Sequence, residues 1–115
     1  MLAAAPELVW EALTTSPQLS EWFGARVEME PRRGGRVLFR FPGGEVRRAV
    51  VEVFEPPRVL VLRWLPFAEK EGRVAPARMG RIDFRLDPDG PSTRLTVVES
   101  ASADLAMSSS GGRSD

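Results

Sequence analysis

The sequence predicts an α+β domain, with two short helices packed on a curved antiparallel sheet. Three observations predict it. The opening residues carry two proline-started amphipathic segments. Between Arg26 and Glu99 most of the chain reads as strand, with apolar and polar residues alternating with a period of two in several runs. The breaks between those runs are short and rich in Gly and Pro, and hairpin-length turns imply antiparallel pairing.

The first helix opens at Pro6, whose missing N–H costs nothing at a first helical position. Glu7 suits the positive end of the helix dipole. Val9, Trp10 and Leu13 share one face at helical spacing. Ser16 is expected to cap a second helix with Pro17 at its start, Leu19, Trp22 and Phe23 as its apolar face, and Gly24 as a left-handed stop. Two such short helices need a sheet to cover.

The strands follow. Arg26 to Glu30 sets Val27 and Met29 against Arg26, Glu28 and Glu30, and Pro31 to Gly35 is a turn. Arg36 to Phe41 alternates cleanly, with Val37, Phe39 and Phe41 on one side. Pro42-Gly43-Gly44 is a tight connection. In Glu45 to Phe54, Val46, Arg48, Val50, Glu52 and Phe54 share one parity, and Arg47, Ala49, Val51 and Val53 the other. Pro56 and Pro57 end that strand. Val59 to Leu65 is apolar on both faces and is therefore expected to be covered on both. Pro66 to Gly80 lacks a period and reads as a long loop or a ragged hairpin connection. Arg81 to Asp87 turns Ile82, Phe84 and Leu86 inward, and Thr93 to Glu99 is the last strand. Residues 101–115 are expected to form a mostly disordered tail beyond a single domain over 1–100.

Composition narrows the chemistry. Sixteen basic and sixteen acidic residues balance to zero charge, unlike the basic footprint of a nucleic-acid binder. The chain has no Cys, His or Tyr, which removes thiolate nucleophiles, the commonest general base, the commonest metal ligand and the phenol acid. No stretch reaches membrane-spanning length, and no basic lead precedes a long apolar run at the N-terminus. The expectation is a cytoplasmic protein that uses no cofactor and no metal.

Five segments together resemble a known family. They are Ala5 to Thr14, Trp22-Phe23-Gly24, Pro31 to Arg36, Val53 to Leu60 leading to Trp64, and Thr93 to Thr96. In this order they are similar to the SRPBCC (START-like, helix-grip) superfamily, and within it to bacterial proteins named for the C-terminal domain of the heat-shock ATPase activator. The resemblance covers about residues 3–100. It implies a first strand, two small helices, an antiparallel run, and a long C-terminal helix gripped by the sheet over a cavity. Against that pattern the first strand is incomplete, and only Asp104 to Met107 offers apolar material where the grip helix should be. The chain therefore reads as cut short at both ends. An open apolar face predicts weak stability as a monomer, or a homodimer through the concave face.

The resemblance implies a cavity that binds a small apolar or amphipathic molecule. The lining candidates are Trp22, Phe23, Phe39, Phe41, Val50, Leu62, Trp64 and Phe84, with Trp10 expected in the ordinary core. Arg48 and Glu52 join the lining if the parity of Val50 and Phe54 is the concave one, and are merely solvated if it is not. Arg40, Arg63 and Arg85 are expected as an outer ladder paired with Asp83 and Glu52. The resemblance also implies two other readings. One is a stress-response interaction domain with a chaperone partner. The other is a polyketide cyclase or hydratase, for which Arg48 and Glu52 are the acid/base pair on offer.

Overall fold

The computed structural model describes residues 4–102. Helix α1 (Pro6–Thr14) starts at Pro6 and buries Val9, Trp10 and Leu13. Helix α2 (Ser16–Phe23) follows after Thr15 alone and stops at Gly24, whose φ of 64° is left-handed. Ser16 is the first residue of this helix and not its cap; Thr15 holds the cap position without a side-chain capping bond. Ser20 ties α2 to the sheet, its Oγ accepting the Val27 N–H at 2.7 Å.

Seven strands follow: β1 (Arg26–Met29), β2 (Arg36–Arg40), β3 (Glu45–Glu55), β4 (Val59–Lys70), β5 (Arg73–Pro76), β6 (Met79–Asp89) and β7 (Ser92–Ser102). They pair antiparallel in the order β1-β2-β3-β4-β6-β7, with β5 paired to β4 alone. The stretch from Pro66 to Gly80 is thus the hairpin connection and not the loop. Strand β4 runs on to Lys70, turns at Glu71-Gly72 with φ of 52° and 76°, and returns as β5. Two consecutive positive φ values match the turn that suits a two-residue hairpin.

Both helices lie on one face of the sheet. The core there comprises Val9, Trp10, Leu13 and Leu19 from the helices against Val27, Val37, Phe39, Ala49, Val51, Leu60, Leu62, Ile82, Phe84 and Leu86 from the strands. Among the described residues no helix lies over β4 on the opposite face, yet Val61 is 5% exposed between its register partners Val53 and Asp83. Thr93, fully buried, donates its hydroxyl hydrogen to the Ala4 carbonyl at 2.6 Å and fastens the start of the described chain to β7.

Two irregularities in the β3–β4 ladder bend the sheet. Val51 pairs with Leu62 but Val53 with Val61, so Glu52 is an extra residue. Such a bulge resets the alternation. Val51 and Phe54 therefore both point inward, and Phe54 meets Trp10 edge-to-face at 5.3 Å. Nearer the other end Ala49 pairs with Trp64 and Arg47 with Ala68, leaving Leu65-Pro66-Phe67 opposite Arg48. Pro66, which has no N–H for a ladder, sits in this interruption. Strand β7 continues through Ser102, so residues 101 and 102 belong to the sheet. The expected first strand before Ala3, the grip helix and the remainder of the tail fall outside the described residues.

A cleft floored by Trp64 and Phe41

The concave face carries a line of aromatic rings. Phe23 meets Phe39 edge-to-face at 5.1 Å, and Phe39 lies 4.6 Å from Trp64 and stacks with Phe41 at 6.2 Å. Phe84 adjoins both Phe23 and Trp22 at 6.4 Å. These contacts follow from register. Phe39 pairs with Arg47, and Ala49 with Trp64, so Phe39 and Trp64 are neighbours across β3. The small Ala49 side chain leaves room for them to meet.

The sequence-named residues separate into three places. Phe39, Leu62 and Phe84 are 0–1% exposed and form the packed layer behind the surface. Phe41 and Trp64 are half-buried and line a cleft of about 460 Å³ with Glu45, Arg47, Arg78, Glu99 and Ala101. Trp22 instead lines an apolar groove of about 450 Å³ between α1 and α2, with Leu8, Ala12, Leu13 and Gln18, and Phe23, the last residue of α2, is half-buried against Phe39 and Phe84.

Arg48, Val50 and Glu52 do not share this face. Val37 and Phe39 pair with Ala49 and Arg47, which fixes Arg47, Ala49 and Val51 as the inward set and sends Arg48 and Val50 outward. Arg48 Nε donates to Glu69 Oε2 at 2.8 Å, and this hydrogen bond holds the Glu69 carboxyl below its ordinary range. Glu52 accepts from Arg81 Nε at 2.6 Å and lies 3.7 Å from Arg63, while Arg85 approaches Asp83 at 3.8 Å. Of the expected outer ladder of Arg40, Arg63 and Arg85, the pairs of Arg63 with Glu52 and Arg85 with Asp83 are present, and among the described residues Arg40 has no ion pair.

The residue that strand alternation left aside is Arg47. Its guanidinium carbon sits 4.7 Å over the Trp64 ring. Its Nη2 donates to the Arg78 carbonyl at 3.0 Å and the Leu65 carbonyl at 3.4 Å. The Leu65 carbonyl lies where the ladder is interrupted, so the bulge supplies the acceptor. Nε of Arg47 is buried with no acceptor. The alternation alone placed Arg47 beside Ala49 and Val51; what it lacked was which side of β3 faced the helices.

Among the described residues no helix is long and apolar enough to cross a membrane. A comparison with curated proteins gives no match. Solved structures do match. Protein MLL2253 from Mesorhizobium loti is 24% identical, with a TM-score of 0.74 over 90% of this chain and 74% of that one. DynU16, from the dynemicin biosynthetic locus, is 22% identical, with a TM-score of 0.69 over 90% of this chain and 35% of its own. The Aha1 dimer from Colwellia psychrerythraea is 21% identical, with a TM-score of 0.68 over 91% and 74%. At these identities the likeness is one of fold, and it agrees with the helix-grip class read from the five segments. The profile of the family described as Activator of Hsp90 ATPase homolog 1-like protein matches residues 3–113. That match spans nearly the whole chain, and the chain belongs to this family.

Proposed function

We propose that this domain binds a small hydrophobic or amphipathic molecule without transforming it, in the cleft on the concave face of its sheet. The observation that carries the reading is the half-buried pair Phe41 and Trp64, set on the fully buried Phe39 and open to a cleft of about 460 Å³. A volume of this order suits a small molecule, and two aromatic rings set beside Glu45, Arg47, Arg78 and Glu99 suit an amphipathic one. The non-catalytic part is supported by the placement of Arg48 and Glu52. Both are held in ion pairs on the opposite face, to Glu69 and to Arg81 and Arg63.

A second reading is a protein-interaction role, including self-association through the concave rim. Trp22 and Val97, 51% and 42% exposed, support it, as does the dimeric state of the similarly folded Colwellia protein. The family's description, which names an ATPase activator, points toward a chaperone partner in the same way. Native mass spectrometry of protein purified from its own host tests both. An added mass of a few hundred daltons that is lost in Trp64→Ala supports the ligand. A doubled chain mass or a retained protein, with no small adduct, supports the interaction reading instead.

A further inference from the structure

We infer that the cleft selects an amphipathic molecule bearing a single carboxylate, with Arg47 as the anchor for that carboxylate; this rests on the ligand-binding reading above. Four other arginines of the central strands have carboxylate partners on the outer face: Arg48 with Glu69, Arg63 and Arg81 with Glu52, and Arg85 with Asp83. Arg47 faces the other way. Among the described residues no carboxylate lies within ion-pair distance of it, and its charge is met by two carbonyl dipoles and the Trp64 ring. A half-buried cation over an aromatic ring carries a desolvation cost that an anion would offset.

The bonding pattern leaves capacity for that anion. A guanidinium offers five N–H donors, and the bonds of Arg47 to the Leu65 and Arg78 carbonyls both use Nη2. Arginine geometry favours planar oxyanions, and a carboxylate can take two of its donors at once. Phe41 and Trp64 supply the apolar surface for the remainder of the ligand. Glu45 and Glu99, both exposed and lining the same cleft, set the limit on charge. Arg78, exposed in the same lining, balances one of them, so the four side chains carry no net positive charge to hold a dianion or a phosphate, and a monocarboxylate is the anion that fits.

Calorimetric titration of the full chain with decanoate, decan-1-ol and decylammonium at neutral pH tests this. The expected result is decanoate at least about tenfold tighter than decanol, because a hydrogen bond to a charged group is worth that much, with decylammonium weakest. In Arg47→Gln the advantage of decanoate over decanol disappears. Arg47→Lys keeps the charge and so retains part of the advantage, which provides a readout should the Gln variant fail to fold. Equal binding of decanoate and decanol by the unaltered chain, or an advantage that survives Arg47→Gln, overturns the carboxylate inference while leaving ligand binding intact. Binding of none of the three overturns both.

Discussion

Arg47 and Trp64 pack as a cation over a ring, 4.7 Å from guanidinium carbon to ring centre, on the face of the sheet that also carries both helices. Neither residue is in register with the other; the break in the β3–β4 ladder between Arg47 and Ala49 brings them together. A cation over an indole contributes about 0.5–2 kcal/mol depending on desolvation. A double-mutant cycle with Arg47→Ala and Trp64→Leu, followed by urea unfolding, is expected to give a coupling of about 0.5–1 kcal/mol. Strictly additive effects would mean the two side chains do not interact in solution.

Phe39 is the ring on which the cleft floor is laid. It touches Phe23, Phe41 and Trp64 and is fully buried. Phe39→Ala is expected to cost about 3–5 kcal/mol. Leu38, its neighbour on the outer face, is only half-buried, so Leu38→Ala should cost distinctly less. Equal losses in chemical denaturation would contradict the assignment of faces.

Gly35 closes the turn between β1 and β2. The Gly34 N–H donates to the Val51 carbonyl at 2.8 Å, and the Gly35 carbonyl accepts the Val51 N–H at 2.9 Å, so this turn is docked onto β3. A Cβ at Gly35 would overlap the Glu30 carbonyl oxygen and crowd that of Arg32. Gly35→Ala is expected to destabilise by more than about 2 kcal/mol, because backbone and not a flexible side chain must move. At Gly43, where a Cβ meets nothing within 4 Å, Ala should be neutral or stabilising by up to about 1 kcal/mol. The pair is compared by thermal and urea unfolding.

Acid should weaken the fold through two glutamates. The Arg36 backbone N–H donates to Glu30 Oε1 at 2.8 Å and holds that carboxyl below its usual range, and the Arg48 hydrogen bond does the same to Glu69. A carboxyl with a depressed folded-state pKa contributes stability above its unfolded value, near pH 4, and loses it as pH falls through the folded value. The gap in urea midpoint between the unaltered chain and Glu30→Gln/Glu69→Gln is therefore expected to shrink between pH 6 and pH 3. A gap independent of pH would show that neither carboxylate is favoured by folding.

Much of this architecture was legible in the residues. Pro6 and Gly24 mark the helical ends, and the clean alternation of Arg36 to Phe41 and of Arg81 to Asp87 puts Phe39 and Phe84 on the inner face, where both are fully buried and not the open cavity lining expected of them. The resemblance in five segments agrees with the family. Legibility failed where the period breaks. A bulge at Glu52 moves Phe54 to the inner face, and no alternation count registers one inserted residue. Pro66, Gly72 and Pro76 read as a loop because they interrupt the pattern, yet one sits in a ladder interruption and another in a turn allowing positive φ. Arg48 and Arg47 are adjacent, and choosing between them needed the register of β2 on β3, which fixes the inward side.

The most direct test of the binding account is a pair of amide and indole NMR spectra recorded with and without decanol, the neutral probe. The account predicts shifts at the Trp64 indole N–H and at the Phe41, Arg47 and Ala101 amides, with the Trp10 indole unmoved behind the core. Shifts confined to Leu8, Gln18 and Trp22 in the helical groove, or to Arg48, Val50 and Glu52 on the outer face, would contradict it.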